Sequence, residues 1–316
     1  MSLLEIDHLD VVIDDTPVLG PVSLSIQPGQ SLGLVGESGC GKSMTALSIM
    51  GLLPEHACAT GSIRLAGSEL VGLDEPGHAA FRGRRVAMIF QEPMTALNPV
   101  MSIGDQIAEG LVLHGLDGGD PMARACSIMA RVGLPAQRFS PSLYPHQLSG
   151  GQRQRVMIAM ALAMQPELLI ADEPTTALDV TVQLDILRLI RDIAQESGMA
   201  LLLITHDLGV VAAMCERTMV MYAGRCIESG PTEQVLRHPG HPYTRGLLDA
   251  LPGGEHIGRE LMVIPGSVPR AGARLNGCAF APRCRIAASI CREMVPADMP
   301  FGAGHAVACH LAETPA

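Results

Sequence analysis

Tryptophan is absent, and the chain has only three tyrosines and five phenylalanines. A core must then be assembled from Leu, Ile, Val, Ala and the 18 methionines, and platforms of rings for stacking single-stranded nucleic acid are not expected. Basic residues are short as well: 22 Lys and Arg stand against 32 Asp and Glu, a formal net charge of −10. That balance opposes a protein whose main task is gripping nucleic-acid phosphate, although it allows a local basic patch. Long apolar runs are missing. The longest, such as Val156–Met164 and Met199–Ile204, fall far below the ~18 to 20 residues of a bilayer span. The opening MSLLEIDHLD has acids and no base, unlike the n-region of a signal peptide, so a cytoplasmic chain is expected. What is plentiful is apolar content, 47% against 17% charged, enough for a sizeable core and against global disorder.

Along the chain, residues 1–35 read as strands and turns, ending in SLGLV, a short apolar run closed by glycine. Ser43–Leu53 reads as a helix stopped before Pro54, and residues 60–90 as short strands (SIRLAG, VAMIF) separated by polar turns. Between Thr95 and Met164 the spacing becomes helical over Ile103–His114, Pro121–Val132 and Gly150–Met164, which suggests an inserted helical subdomain. LLIAD (168–172), a helix near Val180–Glu196, LLLIT (201–205), a helix near Leu208–Cys215 and a hairpin-like 218–230 then restore an alternation of strand and helix. Such alternation implies a largely parallel sheet with crossovers. From His238 the composition shifts to Pro, Gly, Arg and Cys, and a boundary is placed there.

Three segments point to chemistry. Gly36-Glu37-Ser38-Gly39-Cys40-Gly41-Lys42-Ser43 matches the P-loop G-x-x-x-x-G-K-[ST] without deviation, after an apolar run and before a helix. Its glycines let backbone N–H groups turn around phosphate oxygens, Lys42 neutralises β/γ-phosphate charge, and the Ser43 hydroxyl ligates Mg²⁺. Leu168–Ile170 and Ala171 lead to Asp172 and Glu173 at the C-terminal end of a buried strand, where ligands bind in an open α/β sheet. Asp172 is read as a metal-holding acid and Glu173 as the group that orients a water for attack. Ser149-Gly150-Gly151-Gln152, at a helix start, is a second anion cradle. One chain does not need two for the same nucleotide, so it is read as closing on the nucleotide of a partner chain.

On these segments the chain resembles the ATP-binding cassette (ABC) ATPases over residues 1 to about 237. The resemblance implies an α/β P-loop NTPase core with a mostly parallel sheet, an antiparallel β subdomain and an inserted helical subdomain at about 95–165. It makes Leu148–Gln152 the signature motif, Gln91 the Q-loop glutamine, Ala177-Leu178-Asp179 the D-loop and His206 the switch histidine. The implied ATP-binding set is Gly36, Glu37, Ser38, Gly39, Cys40, Gly41, Lys42, Ser43, Met44 and Gln91, with Mg²⁺ held through Ser43, Gln91 and Asp172. The implied catalytic set is Glu173, His206, Lys42 and Gln91. One departure is that Val11-Val12-Ile13 lacks the ring that usually stacks on adenine.

Phe90–Pro99, Tyr144–Gln147 and His241–Leu248 look like the oligopeptide/dipeptide importer branch. That branch implies a second ATPase subunit, two membrane permeases, an extracytoplasmic binding protein and a place on the cytoplasmic face of the inner membrane; no nucleic-acid partner is expected. It also implies a C-terminal extension, here 238–316. The rival readings are a soluble cassette ATPase of DNA repair or translation, which the acidic charge opposes, and a catalytically dead regulator, which the intact Lys42, Asp172, Glu173 and His206 oppose. Within the extension, Cys278, Cys284, Cys291 and Cys309 are separated by five, six and seventeen residues. Structural zinc usually shows closer pairs. Wider spacing fits a [4Fe–4S] cluster, five Arg and no acid lie between 270 and 292, and the resemblance adds that some peptide-importer ATPases hold such a cluster. Zinc and metal-free thiols stay open. His305 and His310 are read as surface or packing residues, Cys58, Cys126, Cys215 and Cys226 as small core hydrophobes, and Cys40 as a loop thiol whose oxidation blocks ATP. Arg153 and Arg155 serve either ATP or a solvated face.

Overall fold

The computed structural model describes residues 2–92, 96–115, 119–176, 178–251, 263–273 and 276–313. In chain order the strands are β1 (Leu4–Ile13), β2 (Thr16–Ile26), β3 (Ser31–Val35), β4 (Ala57–Leu65), β5 (Ser68–Glu69), β6 (Val86–Ile89), β7 (Leu168–Asp172), β8 (Ala200–Thr205), β9 (Arg217–Tyr222), β10 (Arg225–Pro231), β11 (Met299–Gly302) and β12 (His305–Val307). The helices are α1 (Lys42–Met50), α2 (Glu75–Phe81), α3 (Ile103–Leu113), α4 (Pro121–Arg131), α5 (Gly150–Leu162), α6 (Val180–Ser197), α7 (Leu208–Met214), α8 (Thr232–Arg237), α9 (Pro242–Asp249) and α10 (Ile290–Glu293). No helix among the described residues is long and apolar enough to cross a membrane.

Contacts divide the chain into two units, one of residues 27–30 and 73–202, the other of 2–26, 31–72 and 203–316. In the first, β6 and β7 pair in parallel, Met88 opposite Ile170, and every residue of both is buried. Burial on both faces is why VAMI and LLIAD read as continuous apolar runs. Helices α3, α4 and α5 pack on one another, each started by a side-chain cap: Ser102 accepts from the Asp105 N–H at 3.2 Å and Asp120 from the Ala123 N–H at 3.0 Å. The apolar stripe Ile103, Ile107 and Leu111 of α3 is buried.

The second unit holds an antiparallel sheet in the order β2-β1-β4-β5. Leu4 faces Ile26 on one side and Leu65 on the other, and all three are fully buried. The same unit holds a row of strands running β11-β12-β10-β9-β3, parallel between β3 and β9 and antiparallel elsewhere. β12, deep in the extension, thus pairs with β10, Glu228 opposite Val307.

The structure departs from the sequence reading in three places. Residues 75–81, expected among strands and turns, form α2; its Pro and Gly hide the helical period, and the signal that remains is Asp74, whose carboxylate accepts from the Gly77 N–H at 2.9 Å. The second strand starts at Thr16, where the sequence reading places a turn (residues 14–17) before a strand over VSLSI (22–26). Cys58 is exposed on β4, not a core hydrophobe, because strand alternation turns it away from the buried face shared by Ile63 and Leu65.

Candidate active site

The phosphate cradle lies in the second unit. β3 runs from a half-buried Ser31 to buried Val35 and delivers the chain to Gly36, where a Cβ would stand 2.3 Å from the Met221 carbonyl oxygen, so only glycine fits. Gly41 caps α1 at φ 103°, a left-handed conformation that other residues rarely adopt, with no side-chain hydrogen bond at the helix start. Lys42 is 6% exposed and folds back over the loop. Its Nζ donates to the Gly36 oxygen at 2.7 Å and the Glu37 oxygen at 3.0 Å, and stands 3.7 Å from the Cys40 sulfur. Ser43 is exposed and Met44 half-buried at the same helix start. Burial pushes the Cys40 thiol above its ordinary range, with Lys42 pulling it down. His206 follows the last residue of β8 and is exposed, and Asp207 caps α7 by accepting from the Gly209 N–H at 2.7 Å.

The acid pair lies in the first unit. Asp172 ends β7 at 5% exposure. Glu173 takes φ 44°, left-handed backbone that costs a non-glycine residue about 1 to 2 kcal/mol and collects at functional sites. Its carboxylate is held by two donors, Gln91 Nε2 at 3.2 Å and Thr176 Oγ1 at 3.0 Å, both on Oε2. Gln91 and Glu173, picked separately from the sequence, are therefore in contact. Thr176 was not picked, and its i+3 spacing to Glu173 is the signal that could have found it. Pro93–Thr95 and Ala177, parts of the branch and D-loop motifs, lie outside the described residues.

The signature segment, also in the first unit, starts α5 with a capping box. The Ser149 hydroxyl accepts from the Gln152 N–H at 3.3 Å, and Gln152 Oε1 accepts from the Ser149 N–H at 2.9 Å. Two groups expected to face an anion are thus engaged with each other, leaving the Gly150 and Gly151 N–H groups outside that exchange. Ser149 and Gly150 are exposed. A Cβ on Gly151 would come within 2.7 Å of Val182 on α6, the helix that Asp179 caps by accepting from the Val182 N–H at 3.0 Å. Arg153 and Arg155 bond to backbone carbonyls, Pro145 at 2.7 Å and Val132 at 2.7 Å, so they brace the helical segment.

In the extension, Cys278, Cys284, Cys291 and Cys309 line one small cavity of about 10 Å³ together with His310. Burial raises the thiols of Cys278, Cys284 and Cys309. As the side chains stand, no group of three or more His, Cys, Asp or Glu among the described residues is arranged to hold a metal ion. His305 is a packing residue: its Nε2 meets Glu228 Oε1 at 2.8 Å with both side chains buried. Two residues missed from the sequence reach the phosphate cradle. Tyr243 of α9 accepts from the Glu37 N–H at 2.9 Å, and Arg283 pairs with the Glu37 carboxylate at 3.1 Å. No local pattern announces them, since they lie 206 and 246 residues from Glu37. The adenine-stacking ring missing at Val11–Ile13 has no substitute in the first hairpin, but Tyr222 and Phe280 line a cavity of about 510 Å³ with Val18, Leu19 and Gly39.

A glycine-rich loop between a buried strand and a helix, with the motif's lysine folded back over its carbonyls, defines a P-loop nucleotide hydrolase. Similarity to known proteins narrows the class. The family described as ABC transporter matches residues 19–176, and that described as oligopeptide/dipeptide transporter, C-terminal region, matches residues 227–291. The probable peptide ABC transporter ATP-binding protein y4tR of Sinorhizobium fredii is 49% identical over 93% of this chain and 89% of its own. The oligopeptide transport ATP-binding protein OppD of Salmonella typhimurium is 44% identical over 97% and 93%. Of solved structures, cbiO1 from Clostridium perfringens, part of the cbiONQ transporter complex, overlays with a TM-score of 0.65 at 27% identity, covering 75% of this chain and 91% of that one. The dimeric cassette MJ0796 bound to ADP and Pi overlays with a TM-score of 0.64 at 26% identity, covering 72% and 98%. The chain belongs to the ABC transporter ATPases.

Proposed function

We propose that this chain is the ATP-hydrolysing subunit of a peptide importer, acting at the cytoplasmic face of the inner membrane beneath two permeases that an extracytoplasmic binding protein feeds. Residues 1–237 are the nucleotide-binding portion and 238–316 the importer-type extension. The observation that carries the catalytic reading is the contact of Gln91 and Thr176 with Glu173, which fixes the carboxylate of the proposed water-orienting residue at a strand end. Lys42 and Ser43 bind the triphosphate of MgATP, with Gly36–Met44 around it; Asp172 and Gln91 complete the magnesium environment, and His206 supports the γ-phosphate. Ser149, Gly150, Gly151 and Gln152 close on the nucleotide of a second ATPase subunit, so ATP favours the closed pair by binding it better.

The permease reading is supported by a groove of about 350 Å³ on the helical segment, lined by Met101, Val112, Leu113 and Met122 with Asp105 and Glu109 beside them. Val112 and Leu113 are exposed there. An apolar patch edged by acids suits a short permease helix with basic flanks. In the extension, the wide cysteine spacing supports a thiolate-bound [4Fe–4S] cluster, which would need the four thiols that line one cavity to turn toward a common point and would then cross-link the loops. Arg285 and Arg292 lie next to Cys284 and Cys291 in sequence and would offset its charge.

The test of the catalytic reading is Glu173→Gln. The amide oxygen still accepts from Gln91 and Thr176, so the fold stands, while loss of the carboxylate lowers phosphate release by about 10²-fold or more. A nucleotide-bound dimer accumulates on a sizing column. Undiminished turnover overturns the role given to Glu173.

A further inference from the structure

Glu37 is an odd residue for a phosphate cradle, because a carboxylate there repels the triphosphate that the loop must admit. The structure shows what offsets it, and the offset comes from the far end of the chain. The Glu37 backbone N–H donates to the Tyr243 hydroxyl at 2.9 Å, its carbonyl accepts from Lys42 at 3.0 Å, and its Oε2 accepts from Arg283 Nη1 at 3.1 Å. Arg283 is itself fixed. Its side chain is 7% exposed, Nε donates to the Pro265 carbonyl at 2.8 Å, Nη1 also donates to the Tyr222 hydroxyl at 3.2 Å, and the guanidinium lies 5.7 Å from the Tyr222 ring centroid. Behind it, Tyr222, Tyr243 and Phe280 pack edge to face at 4.7 to 5.4 Å.

We propose that Arg283 is a positioning residue of the ATP site, neutralising and orienting Glu37 so that the P-loop accepts a triphosphate. The extension is then a working part of the nucleotide site. A fork-shaped cation held by Glu37, Pro265 and Tyr222 offers one orientation, so the charge is delivered at a fixed point and not by a mobile side chain. This inference rests on the assignment of Gly36–Ser43 as the triphosphate site.

The test uses the full-length chain with MgATP as the probe, measuring affinity and steady-state hydrolysis. Arg283→Ala raises KM for ATP by about tenfold, equivalent to about 1.4 kcal/mol, with a smaller change in kcat. Arg283→Lys falls between wild type and Ala. The double variant Glu37→Gln/Arg283→Ala returns KM to within about threefold of wild type, since the repelling carboxylate is gone; a role limited to folding is not rescued this way. An unchanged KM in Arg283→Ala, or a double variant as weak as the single, overturns the proposal. Where Arg283→Ala does not fold, Glu37→Gln alone decides: KM falls if the carboxylate repels ATP, and an unchanged or raised KM overturns it. Lys42→Ala separates the two levels, because retained ATP binding there removes the site assignment itself.

Discussion

Glu228 is the buried carboxylate on which the extension is hung, and its removal has a calculable cost. It sits on β10 at 1% exposure, opposite Val307 of β12. Oε1 accepts from the Gly240 N–H at 2.7 Å, Oε2 from the His241 N–H at 3.0 Å, and His305 Nε2 lies 2.8 Å from Oε1. An ionised carboxylate only accepts, so Nε2 is the nitrogen that bears the hydrogen in this pair. Glu228→Ala leaves three donors buried without an acceptor. Each such orphan costs about 1 to 3 kcal/mol, and because they share one site the total is about 3 to 5 kcal/mol, well below three times the maximum. Against a typical stability of about 5 to 15 kcal/mol this is a large fraction. At about 2 to 4 °C per kcal/mol it lowers the melting temperature by roughly 10 °C. Glu228→Gln keeps one acceptor and sets an amide N–H₂ against a second donor, so about 1 to 2 kcal/mol is lost. The assay is urea unfolding of the full chain, with the slope checked for two-state behaviour. A loss under 1 kcal/mol in Glu228→Ala refutes the argument that these three donors depend on this carboxylate.

Two further outcomes are expected. Burial holds the His241 imidazole neutral, with its pKa lowered to about 3; above pH 6.5 neither folded nor unfolded chain is protonated there, while below it only the unfolded chain takes up the proton. Stability therefore falls with falling pH by about 1.4 kcal/mol per unit in this window, and His241→Asn, which can still cap α9 by accepting from the Tyr243 N–H, loses about 2 kcal/mol less between pH 6.5 and 5 in denaturant titrations; equal losses refute the reasoning. For the extension, the full chain purified without oxygen shows broad iron–sulfur absorbance that Cys291→Ser abolishes, and a colourless wild type with no bound iron removes the cluster.

How much of this was legible in the sequence follows from the range of the interactions involved. The cradle from Gly36 to Ser43 is one local turn between strand and helix, so its chemistry is written in eight consecutive residues. The acid pair at Asp172 and Glu173 is legible for the same reason, as is the Ser149 cap, although its side chains turned out to serve each other first. The helix over 75–81 was lost because Pro76 and Gly77 break the apolar period while the cap at Asp74 is a single residue. The contacts that join the extension to the cradle leave no local trace at all, since Arg283 and Glu37 are ordinary charged residues until the fold sets them 3.1 Å apart. The same holds for Glu228 and His305, 77 residues apart. A composition shift at His238 marks where the sequence changes character, but strand pairing of β12 with β10 and the two contacts on Glu37 lie on both sides of that mark. An extension tied to the nucleotide loop by one ion pair and one hydroxyl changes the loop whenever those ties change, and this is why a substitution at Arg283 is expected to read out as ATP affinity and not as loss of an appendage.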